Sequence, residues 1–204
     1  MNLQAFTVGP LQENCHLLSD AGQAVLIDPG DEAGRLLGAL EELELTAVWL
    51  THAHFDHVGA LADILDRFSV PVYLHSDDWE LLDNAAASAA YFGLTLRQPD
   101  VTPLPLIQGQ RLRVGGLEAT CLYTPGHAPG HITFHIPAAG FVLAGDALFQ
   151  GSVGRTDLPG GSHEQLIGSI RRELLTLPGE TVVYPGHGPA TTVGVERRTN
   201  PFLV

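Results

Sequence analysis

Apolar residues recur along this chain in short runs broken by Gly, Pro, Asn or Asp, the pattern of strands joined by tight turns. Runs over 3–8, 15–18 and 24–27 read as three strands, the last closed by Asp28-Pro29-Gly30. Leu36, Leu37, Leu40 and Leu43 then fall at helical spacing within 32–43, with acidic residues on the other face. Residues 47–50 predict a fourth, buried strand, 61–68 a helix and 70–74 a fifth strand. Ser76 stands as a helix cap ahead of Asp77, Asp78 and Glu80, acids that suit a first turn. The stretch 84–100 is alanine-rich and then punctuated by Gly and Pro, which reads as a helical excursion or lid. Farther on, 111–114 and 117–123 predict a hairpin around Gly115-Gly116, and 131–136 pairs with 141–143 in another. A long helix over 163–175, a strand over 181–184 and a short helix over 193–198 complete the chain.

Strands arrive in runs of two or three with helices between the runs, without repeats or long linkers. That order predicts an α+β chain built as an αββα sandwich, two mixed β-sheets face to face with helices on the outside. The length fits one domain over 1–204.

Composition narrows the setting. With 45% hydrophobic residues the chain can bury a sizeable core, which argues against disorder. No apolar run approaches the roughly 18 residues a membrane span needs. The start, Met1-Asn2-Leu3-Gln4-Ala5, lacks the basic and apolar regions of a secretory signal. Cys15 and Cys121 are the only cysteines, so no disulfide framework is expected and a reduced, cytoplasmic setting is. The formal charge is −13, and all ten basic residues are Arg. Such a surface repels nucleic acid and anionic membranes, so neither is expected as a partner. Two bound divalent ions would place four positive charges at one spot and still draw in a small anionic substrate.

The chemistry concentrates in Thr51-His52-Ala53-His54-Phe55-Asp56-His57, between the fourth strand and the helix that follows it. Side chains alternate in extended chain, so His52 and His54 project to one side, and Asp56 and His57 face the same space from the turn. Four potential ligands in one turn suggest more than one metal ion. Three later turns each follow a strand end and carry one ligand-type residue: Pro125-Gly126-His127, Ala144-Gly145-Asp146 and Pro185-Gly186-His187. A metal-free histidine cluster with ordinary core hydrogen bonds is the competing reading; the cost of desolvating so many imidazoles weighs against it.

Together these residues resemble the metallo-β-lactamase-fold superfamily, whose pattern is His-x-His-x-Asp-His followed by a His, an Asp and a His. The resemblance implies that His52, His54 and His127 hold one metal, that Asp56, His57 and His187 hold a second, and that Asp146 bridges them. Imidazoles and carboxylates suit Zn²⁺ first, with Fe or Mn²⁺ as alternatives, and the lack of cysteine ligands argues against a structural zinc site. Two ions about 3.5–4 Å apart can share a water and lower its pKa from ~15.7 towards about 7. Asp56 is the expected catalytic residue, orienting that hydroxide while it ligates. Of the other histidines, His131 is expected to support a ligand, and His16, His75, His135 and His163 to be strand, loop or cap residues. Asp28 either braces a ligand histidine or shapes its turn.

Gly145–Asp157 and the ending Arg198-Thr199-Asn200-Pro201-Phe202-Leu203 look like the short bacterial glyoxalase II-type proteins, the hydroxyacylglutathione hydrolases. That resemblance implies hydrolysis of glutathione thioesters such as S-lactoylglutathione. Arg155 would lie at the mouth of the metal site and hold a substrate carboxylate, or else brace its loop through Asp157. Longer glyoxalase II enzymes add a C-terminal helical domain that grips glutathione; here only seventeen residues follow His187. Gly154-Arg155-Thr156-Asp157 also resembles the persulfide dioxygenases, which share the fold but use one iron and O₂ on glutathione persulfide. A metal-dependent sensor without turnover is a third reading, which the intact ligand set disfavours.

Overall fold

A computed structural model describes all 204 residues. The first half of the chain builds one sheet. Strands β1 (Asn2–Val8), β2 (Glu13–Asp20) and β3 (Gln23–Ile27) pair antiparallel. Helix α1 (Ala33–Ala39) crosses over to β4 (Glu44–Trp49), parallel to β3. The short α2 (Phe55–Val58) and α3 (Leu61–Arg67) lead to β5 (Val72–His75). Helices α4 (Trp79–Asp83) and α5 (Ala85–Tyr91) precede the edge strand β6 (Leu104–Leu106), so the order is β1-β2-β3-β4-β5-β6.

The second sheet holds β7 (Arg111–Val114), β8 (Leu117–Tyr123), β9 (Ile132–Ile136) and β10 (Phe141–Gly145) as an antiparallel meander. After the small ribbon of β11 (Leu148–Phe149) and β12 (Ser152–Val153), α6 (His163–Ser169) runs into a wider turn over Ile170–Leu174. Strand β13 (Val182–Pro185) then returns parallel to β10, and β14 (Thr191–Thr192) and α7 (Val193–Thr199) close the chain.

Strand alternation explains the layering. Along β3 and β4, Val25, Ile27, Ala47 and Trp49 point inward to Phe134, Phe141 and Leu143 of the second sheet. Their neighbours Ala24, Leu26, Val48 and Leu50 point outward, onto Leu36, Leu61 and Ile64 of α1 and α3. Val142, Ala144 and Val183 face outward from the second sheet onto Leu166, Ile170 and Val193. Three apolar layers between two sheets and two sets of helices make the expected αββα sandwich. Trp49 and Phe134, ring centroids 5.3 Å apart, sit at its middle.

Several details depart from the sequence expectations. The helix expected over 32–43 spans only Ala33–Ala39: Glu32, at a left-handed φ of 53°, flanks its start, and from Leu40 the chain turns into β4. The cap before Asp77 is the His75 ring, which accepts from the Asp77 amide at 3.2 Å, rather than Ser76. Strand β6 was hidden by Pro105, tolerated at a sheet edge. Segment 84–100 is helical only over Ala85–Tyr91, then turns and runs on without regular structure.

Candidate metal centre

Parallel pairing of β3 with β4, and of β10 with β13, carries all four C-terminal strand ends to one edge of the sandwich. Asp28, the motif at 51–57, Asp146 and His187 leave from these ends, and the β8–β9 connection brings His127 to the same place. Backbone hydrogen bonds join the two sheets there: the Ile132 amide donates to the Thr51 carbonyl at 2.7 Å, and the Asn14 amide to that of Gly186 at 2.7 Å. Two glycines permit the approach. Gly145 has φ +48° and any Cβ would meet Thr51 Oγ1 at 2.5 Å, while a Cβ on Gly186 would strike Asp146 and His57.

The seven expected residues meet in two groups. His52 Nε2, His54 Nδ1 and His127 Nε2 form a triangle with edges of 3.1, 2.9 and 3.2 Å. Beside it, Asp56 Oδ2 lies 3.3 Å from His187 Nε2 and 3.9 Å from His57 Nε2. Asp146 faces both groups, with Oδ1 3.5 Å from His57 Nε2 and Oδ2 3.5 Å from His127 Nε2 and 3.6 Å from His187 Nε2.

Hydrogen bonds outside the cluster fix which nitrogen carries a proton in four of the five rings. His127 Nδ1 donates to the Arg155 carbonyl at 2.8 Å and His187 Nδ1 to the Leu11 carbonyl at 3.1 Å. His57 Nδ1 donates to Asp28 Oδ2 at 3.1 Å. Thr51 Oγ1 gives its own proton to Asp28 at 2.6 Å and therefore accepts from His52 Nδ1 at 3.0 Å. In these four rings, when neutral, the Nε2 lone pair is thus turned into the cluster, while His54 presents Nδ1. Lone pairs 3.2 Å apart on His52 and His127 cannot bond to each other, and a single proton on His54 Nδ1 would serve only one of them, whereas a cation serves all three nitrogens. Metal–nitrogen bonds of about 2.0–2.1 Å hold the nitrogens of one ion about 2.9–3.4 Å apart, and the triangle fits that range.

Titration follows the same division. Burial and the neighbouring imidazoles hold His52 well below its ordinary pKa and bring His54 down to about 3, so both are neutral donors. Burial would also lower His57, but Asp146 and Asp56 outweigh it and carry that imidazole well above its ordinary value. Burial would raise Asp146, yet His57 and the other imidazoles hold it far below the carboxylate range. His57 Nε2 and Asp146 Oδ1 are buried without a hydrogen-bond partner.

Asp28 proves to be both turn and brace. Its φ of +53° is left-handed, and its carboxylate accepts from the Thr51 amide at 2.7 Å, the Thr51 hydroxyl and His57. His131 supports the site as expected: its Nε2 accepts from the Asp146 amide at 3.0 Å, and Nδ1 donates to Thr124 at 2.9 Å. Arg155 lies at the cleft, but its guanidinium is held by Asp157 through two bonds of 2.7 and 2.8 Å.

Sequence reading missed three supports. Asn14 Nδ2 donates to the carbonyls of Pro185 and Gly188, holding the His187 loop. Asp78, fully buried, accepts from the Gly130 amide at 2.6 Å. Glu13 lies 3.8 Å from His57 Nδ1 with neither oxygen bonded, and burial raises its pKa well above the ordinary value. Asp78 and Glu13 sit among polar residues that look like surface in sequence, and only their burial marks them.

The model of the metallo-beta-lactamase superfamily matches residues 8–187, a span that contains all seven clustered residues. The chain belongs to that superfamily. Its relatives include a probable metallo-hydrolase, YqgX, of Bacillus subtilis, 43% identical with 100% of this chain and 98% of that protein covered. The hydroxyacylglutathione hydrolase GloC of Haemophilus influenzae is 41% identical, over 100% of this chain and 98% of its own. Among solved structures, TTHA1623 in a di-iron-bound form is 48% identical with a TM-score of 0.91, covering 98% of this chain and 100% of that one. No helix of this superfamily member is long and apolar enough to cross a membrane.

Proposed function

We propose that this protein is a metal-dependent hydrolase of thioesters, with glutathione thioesters of the S-lactoylglutathione type as the first substrates. One feature carries the reading: imidazole lone pairs and two carboxylates converge on a cleft of about 990 Å³ that holds no thiol. Cys15 and Cys121 are both buried, and burial raises the first thiol well above its ordinary pKa and the second to about 12, so neither acts as a nucleophile. Water is then the attacking species. Its oxygen bonds to the acyl carbon as the C–S bond breaks, and the thiolate leaves and takes up a proton.

His52, His54 and His127 would hold one ion, Asp56, His57 and His187 the other, and Asp146 would serve both. Bound divalent ions supply Lewis acidity and a water acidified towards neutral pH. Asp56 opens on the cleft, so its carboxylate can take the proton of the attacking water and turn the oxygen towards the acyl carbon. Zinc is the first choice for these donors; the di-iron form of the 48%-identical relative makes iron its nearest rival. The hydroxyacylglutathione hydrolase among the relatives supports the substrate class.

Metal content should be measured on protein purified without added metal, beside assays with S-lactoylglutathione, a β-lactam, and glutathione persulfide in an oxygen electrode. About two ions per chain with thioester hydrolysis is the expected result. One iron per chain with persulfide-dependent oxygen uptake would replace hydrolysis by the dioxygenase reading, and β-lactam turnover alone would overturn the substrate class.

A further inference from the structure

The cleft beside the clustered histidines is unevenly built. Much of its wall is apolar, lined by Phe55, Leu81, Tyr91, Phe92 and Leu94 from the first half of the chain and Phe149 from the second. Tyr91 is 86% exposed and Phe92 49% exposed, far more than aromatic rings that serve only the core. The Phe92 ring packs at a tilt against Phe55 with centroids 5.4 Å apart, and Phe149 stands 6.3 Å from His187, so apolar rings reach up to the clustered residues.

Recognition of charge is sparse by contrast. Apart from the clustered residues, the polar side chains lining the cleft are Ser88, Ser152 and Arg155. Arg155 is the one cation among them, and Asp157 already neutralises it through two hydrogen bonds. Glutathione carries two carboxylates, and a chain of net charge −13 without a lysine offers no second cation here to hold them.

Resting on the thioesterase reading, we infer that the cleft selects its substrate through an apolar acyl group, alkyl or aryl, packed on Tyr91, Phe92 and Phe149. Glutathione thioesters remain substrates, but the acyl group sets the rate among them and the carrier adds little. Each methylene buried on that wall is worth roughly fourfold in affinity or in kcat/KM until the wall is covered.

The test uses the metal-loaded protein with acetyl, butanoyl, hexanoyl and phenylacetyl thioesters, each made on glutathione and on the uncharged carrier N-acetylcysteamine. The expected result is a kcat/KM that climbs roughly fourfold per methylene on both carriers, with less than about threefold between carriers at a fixed acyl group. Phe92→Ala and Phe149→Ala should each lower the hexanoyl-to-acetyl ratio, by about fifteenfold if two methylenes lose their contacts. Calorimetric binding of hexanoate against acetate supplies a readout that needs no turnover, and hexanoate should bind at least tenfold more tightly. Thioester hydrolysis with a flat acyl series overturns this inference and leaves the hydrolase reading standing. So does a preference of tenfold or more for glutathione at a fixed acyl group. Tight, Phe92-dependent hexanoate binding without hydrolysis of any thioester does the reverse: the acyl site holds and the thioesterase reading falls.

Discussion

The two ligand groups of the centre are built differently. His52, His54 and His127 bring three nitrogens within 2.9–3.2 Å of one another, all from neutral rings. Asp56, His57 and His187 stand 3.3–3.9 Å apart across a carboxylate, and the His187 side chain is 27% exposed. The first group is held at a strand end and in a hairpin loop pinned to Thr51, whereas His187 depends on a loop tied down by Asn14 and the Leu11 carbonyl. The difference teaches that one site is shaped before its ion arrives, while the other gains from charge what it lacks in order. Prearranged ligands lose less freedom on binding, so the first group should hold its ion more firmly.

His127→Ala should have the largest effect on that contrast, because it opens the ordered triangle and removes a nitrogen facing Asp146. Thioester hydrolysis should drop by more than about a hundredfold, beyond the usual cost of losing a residue that only supports a ligand. Metal analysis should show the three-histidine group emptied; a variant that retained two ions and most of its rate would refute the ligand assignment.

His187→Ala should cost less, roughly 10–100-fold in rate, and leave about one ion per chain. Graded chelation of the unmodified protein should strip the ions in the same order, the Asp56 group first. If both ions left together, or the three-histidine group emptied first, the proposed inequality between the groups would be wrong.

The smallest effect concerns the acid behind the first group. Asp78 accepts from the Gly130 amide, with the Ala53 amide also directed at it, and so lies behind the turns that carry His54 and His127. Burial lifts its pKa to about 7, from an ordinary value near 3.9 in the unfolded chain. Between these values the folded chain keeps a proton that the unfolded chain has lost, so this acid makes stability fall as pH rises through the window. The slope reaches at most about 1.4 kcal/mol per pH unit and levels off above about pH 7. Asp78→Asn should remove this contribution, and urea unfolding of both proteins at several pH values measures it. Parallel curves for the two proteins would show that Asp78 does not titrate in this range.

Much of the site could be read in sequence because its parts are local. Three histidines and an aspartate within 52–57 declare themselves, and each remaining member follows a strand end broken by Pro or Gly. Apolar alternation likewise foretold the central strands of both sheets, though not the short edge strands β6 and β14. The misses share a cause: they depend on what lies across space. Glu13 and Asp78 read as ordinary surface acids until the fold buries them. Arg155 could have held a substrate or its neighbour Asp157, and only the folded loop pairs it with Asp157.

By itself the sequence determined the kinds of donors, their order along the chain, and the strand ends from which they project, since those follow from periodicity and turn chemistry. Tertiary structure decided which ring nitrogen His127, His187 and His57 turn inward, through carbonyls of Arg155 and Leu11 and the carboxylate of Asp28, all distant in sequence. It also decided that the donors form one ordered group and one looser, more acidic group. Proton placement and spacing at a metal site depend on contacts between elements, and no local pattern encodes them.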